Sequence, residues 1–223
     1  KQDVELFNAL KKLGKKVITV VIAGRPYAIP EISENTEALL YAFYPGPRGG
    51  EAIGELIYGK KSPSGRLPVS LPRSAAQLPV YYNHPKSYSA MTYCDEKDGP
   101  LYSFGEGMGY STFRFSEIET EVTPEGITLT LMAENTGKWE DAAVLQCYRS
   151  VRVSRRVPRV RELKAFQKVW LQGGEKKKIT VPIGREFFSL YSGDGKWKEE
   201  KGKYDLLLMD SGKLIWKGEL ECI

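Results

Sequence analysis

The chain has 223 residues, of which 41% are hydrophobic and 27% are charged. That balance is typical of a folded globular protein and excludes an intrinsically disordered chain. No apolar run approaches the roughly 18–20 residues of a membrane-spanning helix, so we expect no membrane partner. The net charge of +5 is too mild to indicate nucleic acid by itself.

The first part of the chain predicts an α/β arrangement. Apolar residues at helical spacing between Val4 and Leu13 predict a helix that ends at Gly14. The apolar run 17–22 predicts a strand buried on both faces of a parallel sheet. Three elements follow: a short helix framed by Pro26 and Pro30, a second buried strand over 38–43, and a helix over 50–58 ended by Gly59.

This α/β domain, which we place at residues 1–83, has a sheet with too few strands. Two strands do not make an independent parallel sheet, since sheets usually contain about four to six. Either the segment 67–71 completes the sheet, or the N-terminal part of the domain has been cut away. We favour the second interpretation, in which 1–83 is the C-terminal part of a longer domain.

From about Ile118 the pattern changes to strict alternation, which predicts strands. Ile127, Leu129, Leu131 and Ala133 share one face, and the same period recurs in the segments 144–148, 179–183 and 204–208. Six or seven short strands with turn signals between them describe an all-β sandwich of the immunoglobulin or fibronectin type III class. We place this sandwich at 118–223 and a linker, rich in Gly, Pro, Ser and Tyr, at 84–117.

Cysteine and histidine are too few and too scattered for a zinc site. Cys94, Cys147 and Cys222 include no Cys-x-x-Cys pair, and His84 is the one histidine in the chain. We therefore expect no metal and no cofactor. Unpaired thiols favour a reducing, cytoplasmic compartment, with the periplasm or the cell exterior as the alternative.

A series of short motifs stands at the ends of the apolar segments. In chain order they are Ala23-Gly-Arg-Pro26, Tyr44-Pro-Gly-Pro-Arg-Gly-Gly50, Pro63-Ser-Gly-Arg-Leu-Pro68, Gln77-Leu-Pro-Val-Tyr-Tyr-Asn-His84, the segment 101–113, Asn135-Thr-Gly137, Arg161-Glu-Leu-Lys-Ala-Phe166, Gly173-Gly-Glu175 and Gly195-Lys-Trp197. One such motif would carry little weight. The whole series resembles the C-terminal part of glycoside hydrolase family 3, the group that includes β-glucosidases and β-xylosidases.

The resemblance implies which part of such an enzyme is present. In this family a TIM barrel is followed by an α/β sandwich domain and often by a fibronectin type III-like domain. The expected partners are therefore the missing TIM-barrel domain and a β-linked oligosaccharide or glycoside. A retaining glycosidase needs two carboxyl groups about 5–5.5 Å apart, one as nucleophile and one as acid/base. The resemblance places both outside this chain, so we expect no catalytic residue here and an inactive fragment.

Three residues are candidates for binding substrate. Asn83 and His84 follow two tyrosines, and amide and imidazole groups suit sugar hydroxyls; a plain loop histidine is the alternative. Glu106 stands where the family usually has Tyr or His, and Gly109 where it has Ser, near the active-site mouth of relatives. This departure bears on sugar preference. An exposed loop carboxylate is the alternative for Glu106, and the acidic loop 95–98 is interpreted as a solvated turn.

Other functions are less well supported. The glycines between 46 and 54 lack the Lys-Ser/Thr ending of a phosphate-binding loop and fit a strand-to-helix turn. The basic segment 149–164 lacks the interleaved aromatic residues of a nucleic-acid surface, and we interpret it as a solvated loop or one docked on a neighbouring domain. We expect no nucleic-acid partner. The alternative to a glycosidase fragment is a stand-alone, non-catalytic carbohydrate-binding or scaffold module.

Overall fold

The computed structural model describes residues 2–87, 99–152 and 154–222. The described residues form two compact units. We call the unit of residues 2–61, 69–80 and 99–103 the α/β unit, and the unit of residues 62–68, 81–87 and 104–222 the sandwich unit.

The α/β unit has the predicted order of helix, strand, helix, strand and helix. Its elements are α1 (Gln2–Lys11), β1 (Ile18–Val21), α2 (Pro30–Asn35), β2 (Ala38–Tyr41), α3 (Gly49–Ile57) and a short 3-10 helix (Ala75–Gln77). Strands β1 and β2 are parallel, with Ile18 opposite Ala38 and Val21 opposite Tyr41. Phe7 of α1 and Ile32 of α2 are buried.

Two predictions for this unit were wrong in detail. The short helix begins at Pro30 and does not lie between the two prolines, because proline fixes φ and lacks the N–H that the first turn leaves unpaired. Strand β1 is not buried on both faces: Ile18 is exposed, and the other three residues are half-buried. The segment 67–71 adds no strand beside β1 or β2, since Leu71 forms an isolated bridge with Tyr102.

Among the residues that the structure describes, the sandwich unit contains nine strands. They are β3 (Phe113–Thr123), β4 (Gly126–Asn135), β5 (Asp141–Val151), β6 (Glu162–Leu171), β7 (Lys176–Gly184), β8 (Ser189–Tyr191), β9 (Trp197–Glu199), β10 (Gly202–Asp210) and β11 (Lys213–Cys222). Within the described residues, seven of them form two antiparallel sheets, with strand orders β11-β10-β5-β6 and β3-β4-β7, and β8-β9 is a separate hairpin. This is the predicted fibronectin-like architecture.

The core of the sandwich follows the predicted period of two. Leu129, Leu131, Leu145, Leu206 and Leu208 are fully buried between the two sheets. Burying such side chains stabilises a fold by about 1.5–3 kcal/mol each. Strand β3 begins at Phe113, within the stretch 84–117 that the sequence suggested as a linker. The proposed domain bounds at 83 and 118 stay a prediction.

The sequence suggested that the basic segment 149–164 is a solvated loop or a loop docked on a neighbouring domain. The structure instead buries its first arginine within a strand. Arg149 lies in β5 with its side chain fully buried, where it pairs with Glu162 and donates to the carbonyl oxygens of Phe187 (2.7 Å) and Ser189 (2.6 Å). Arg152 pairs with Asp205 at 3.0 Å. The buried guanidinium of Arg149 therefore links β5 to Glu162 of β6 and to the carbonyl oxygens of the segment 187–189.

Candidate functional site

The three candidate residues lie on two segments of the sandwich unit. Asn83 and His84 belong to the segment 81–87, and Glu106 belongs to the segment 104–110. All three side chains are half-buried. The acidic loop 95–98 lies outside the described residues.

Asn83 and His84 are held by their main chain along the connection that leads into β6. The Val160 N–H donates to the His84 carbonyl oxygen at 2.9 Å, and the Arg159 guanidinium donates to the Asn83 carbonyl oxygen at 2.8 Å. The Lys86 N–H donates to the Pro158 carbonyl oxygen at 2.8 Å. These bonds fix the main chain of Asn83 and His84, and the imidazole Nδ1 of His84 also forms a hydrogen bond with the Pro85 carbonyl oxygen at 3.0 Å.

Tyr82 joins the two segments. Its ring stacks on Phe104 with centroids 4.2 Å apart and planes 14° apart, and it meets Tyr148 of β5 edge-on at 6.2 Å. Stacked and edge-to-face pairs of this kind each contribute about 0.5–1.5 kcal/mol beyond the area they bury. The ring pair therefore brings the segment of Asn83 and His84 beside the segment of Glu106, over the outer face of β5.

Glu106 is fixed by a two-way backbone pairing with Leu67. The Gly105 N–H donates to the Leu67 carbonyl oxygen (2.8 Å), and the Leu67 N–H donates to the Glu106 carbonyl oxygen (2.9 Å). The Gln146 amide donates to the Gly105 carbonyl oxygen at 3.0 Å. Gly105 has φ +81°, and a Cβ there would lie 2.3 Å from Gln146 Oε1, so only glycine fits before Glu106.

The surroundings of Glu106 are charged and partly buried. A Cβ built on Gly212, in the turn between β10 and β11, would stand 3.6 Å from the Cβ and Cγ of Glu106. Asp210, two residues before that glycine, pairs with the buried Arg66 at 3.2 Å. Glu106 thus lies against the turn between β10 and β11, which follows the Asp210 that pairs with Arg66.

The buried phenol of Tyr148 and the buried amide of Gln146 hold the Gly105–Glu106 segment in place. Burial raises the pKa of Tyr148 to about 12, so its hydroxyl stays protonated and donates to Gln146 Oε1 at 2.7 Å. The orientation of the Gln146 amide, and with it the bond to Gly105, follows from this donation. Neither group was identified as a site residue from the sequence, although the alternation of 144–148 placed both on one face of a strand.

Gly109 is required by its neighbour Asp141. A Cβ at position 109 would lie 2.1 Å from Asp141 Oδ2. The buried Asp141 carboxylate accepts from the N–H groups of Ser111 (2.9 Å) and Ala142 (2.7 Å), so it has no room to move. Any side chain at position 109 would therefore require the Asp141 carboxylate to shift.

The chemistry of the site is hydrogen bonding. An amide, an imidazole and a carboxylate on adjoining loops can donate to and accept from hydroxyl groups. Within residues 2–87, 99–152 and 154–222, no group of three or more His, Cys, Asp or Glu side chains is placed to hold a metal ion. None of the helices in this part of the chain has the length and apolar character needed to span a bilayer.

Comparison with family models gives two matches. Residues 1–110 match the glycosyl hydrolase family 3 C-terminal domain, and residues 143–212 match a fibronectin type III-like domain. Both were expected from the motifs.

Curated relatives and solved structures agree with these matches. A periplasmic β-glucosidase of Salmonella typhimurium is 35% identical over 98% of this chain and 30% of its own length. A putative β-xylosidase of Formosa agariphila is 36% identical over 92% of this chain and 28% of its own. A β-glucosidase from Listeria innocua, solved with glucose, superposes with a TM-score of 0.91 at 30% identity, over 98% of this chain and 32% of its own. The chain thus spans about 30% of the length of the relatives it matches.

Proposed function

The chain belongs to glycosyl hydrolase family 3, and on this premise we propose that it is the C-terminal part of an exo-acting, β-glucosidase-like enzyme. The intact enzyme would hydrolyse terminal β-linked sugars by a retaining mechanism with two carboxylates, both outside this chain. The observation that carries the proposal is that the chain covers only about 30% of the length of its β-glucosidase relatives.

The pKa values of Glu37, Glu199 and Asp205 argue against a general-acid role for these three carboxyl groups. A general acid in a glycosidase has a raised pKa, because it must hold a proton near neutral pH. In the described part of the chain, each carboxyl group with a displaced pKa has it lowered, as at Glu37, Glu199 and Asp205. Lysine or arginine donors hold all three carboxylates in their charged form.

The surface of the α/β unit supports the interpretation that this domain is incomplete. Leu6 and Leu13 of the predicted apolar stripe are 61% and 67% exposed, and the sheet has two strands. Leaving an apolar helix face in water forgoes the burial that normally stabilises such a helix. We propose that further strands and the TIM-barrel domain of the intact enzyme cover these surfaces.

The test of the proposal is activity of the purified chain. Incubated with aryl β-glucoside and aryl β-xyloside, it should release no phenol above the rate in buffer, because it lacks both the nucleophile and the general acid. Turnover that survives repurification and is abolished by a point substitution within this chain would overturn the proposal.

We further propose that Asn83, His84 and Glu106 lie near the mouth of the sugar pocket in the intact enzyme. Glu106→Tyr there should change KM or the preference for the leaving group and leave most of kcat intact, as expected for a contact made equally in ground and transition states. Glu121→Tyr, on an exposed position of β3, is the matched control. Unchanged kinetics across several leaving groups would make Glu106 an ordinary loop carboxylate.

The proposed compartment is the reducing cytoplasm, and two buried thiols support it. Cys147 and Cys222 are free. Their partners on β10 are Leu208 and Gly202, six residues apart, which is about 20 Å along a strand and far beyond disulfide reach. Burial raises the pKa of Cys147 to about 12, so its thiol stays protonated. Cell fractionation tests the compartment. The word periplasmic describes the Salmonella relative and is not carried over to this chain.

A further inference from the structure

Strand β6 carries aromatic and cationic side chains in alternation on one face. Phe166, Lys168 and Trp170 occupy every second position, and alternate residues of a strand point to the same side. Phe166 is 69% exposed and Trp170 is 47% exposed. The run covers about 13 Å, at roughly 3.3 Å per residue. We call these three residues the β6 stripe.

The cation of the β6 stripe is held against an aromatic ring. Lys168 Nζ lies 5.0 Å from the centre of the Trp170 ring, and it also donates to Ser64 Oγ at 2.6 Å. Burial lowers the pKa of Lys168, and the neighbouring Arg66 guanidinium lowers it further, which together outweigh the opposite effect of the Asp141 carboxylate.

A pocket of about 330 Å³ opens beside the stripe. Strand β6 is the edge of the four-stranded sheet, and β7 is the edge of the three-stranded sheet. The pocket lies between these edges, with Lys168 and Trp170 on one side and Lys177, Lys178 and Thr180 on the other. In the described residues, no carboxylate lies within ion-pair distance of Lys177 or Lys178.

Protection of a sheet edge explains only part of this arrangement. Lysines on edge strands prevent pairing with another chain, and Lys177 and Lys178 serve that purpose well. Exposed Phe166 and Trp170 do the opposite, because apolar surface at an edge promotes association. Rings beside unpaired cations instead complement a ligand that has both apolar faces and negative charge.

We propose that the β6 stripe and the adjacent pocket bind an acidic oligosaccharide. A sugar ring would stack on Trp170, and its carboxylates would pair with Lys168, Lys177 and Lys178. The choice of a sugar over another anion rests on the proposed function, whereas the demand for negative charge and a stacking face comes from the stripe itself.

The experiment measures binding of the 223-residue chain to a defined oligogalacturonate by isothermal titration calorimetry. A neutral xylo-oligosaccharide of equal length and a single-stranded oligothymidylate serve as comparison probes. The oligogalacturonate should bind at least about tenfold more tightly than the neutral probe, and added salt should weaken it because salt screens exposed charge pairs.

Substitutions locate the site. Trp170→Ala and the double change Lys177→Gln with Lys178→Gln should each weaken oligogalacturonate binding about tenfold, as expected when a central anchor is removed. Phe166→Ala gives a second aromatic change. The matched controls are Trp197→Ala and Lys213→Gln, which change exposed residues of the same types elsewhere and should leave binding unchanged.

Several results would overturn the inference. They are absence of oligogalacturonate binding, equal binding of the neutral probe, equal effects of Trp170→Ala and Trp197→Ala, or tighter, Trp170-dependent binding of oligothymidylate, which would indicate a nucleic-acid surface. These variants leave Asn83, His84 and Glu106 untouched. Failure here is therefore separate from failure of the aryl-glycoside test, which has its own readout.

Discussion

Removing the buried guanidinium of Arg149 should destabilise the sandwich strongly. Arg149→Met keeps most of the side chain's length but leaves the Glu162 carboxylate and the carbonyl oxygens of Phe187 and Ser189 without their donor. Breaking a buried ion pair by removing one partner costs about 3–5 kcal/mol. At about 4 °C per kcal/mol for a domain of this size, Tm should fall by roughly 12–20 °C.

The assay is urea and thermal unfolding followed by circular dichroism, with two comparison variants. Arg114→Met removes an ion pair with Glu134 at 3.7 Å whose arginine is 71% exposed, and it should cost about 1 kcal/mol or less. Arg149→Met combined with Glu162→Gln should recover part of the loss, because no unpaired carboxylate remains. A single Arg149→Met variant within about 1 kcal/mol of the unmodified chain would refute the reasoning.

Two further changes test the packing and the electrostatics of the sandwich unit. Gly109→Ser places a Cβ against the fixed Asp141 carboxylate and should cost about 1–3 kcal/mol; a Ser variant as stable as the parent would contradict the close contact. Burial raises the pKa of Asp205, but hydrogen bonds from Arg152 and Lys217 outweigh it and hold the pKa below its ordinary value. Its charge therefore stabilises the fold at neutral pH and ceases to do so as pH falls through the folded-state pKa. Asp205→Asn should be less stable than the parent near about pH 7, with a gap that narrows towards about pH 3; a gap that widens in acid would contradict this sign.

The sandwich was the most predictable part of the molecule. Each of its strands buries one face, so apolar residues recur at every second position of the sequence. Leu129, Leu131, Leu206 and Leu208 are buried, as this period predicts. The helices and strands of the α/β unit were also predicted in the right order. The burial of β1 was predicted wrongly. An apolar run predicts that a strand is buried, but Ile18 is exposed in this structure.

The location of the site stays a prediction, and its construction could not be predicted from the sequence. Motifs pointed to the segments that hold Asn83, His84 and Glu106, because loops rich in Gly, Tyr and Asn have a recognisable composition. The stacking of Tyr82 on Phe104 joins residues 22 positions apart across a stretch without periodicity. Arg149 could not be predicted as buried either, since its partners become neighbours only in the folded chain.

The location of the nucleophile tests the central claim most directly. A retaining glycosidase forms a covalent glycosyl-enzyme intermediate, which a slowly hydrolysed fluorinated aryl glycoside can trap. The longer protein that contains this chain would be labelled, digested and mapped by mass spectrometry. The account predicts that the labelled carboxylate lies outside these 223 residues and that the chain alone takes up no label. A glycosyl adduct on any Asp or Glu of this chain would contradict it.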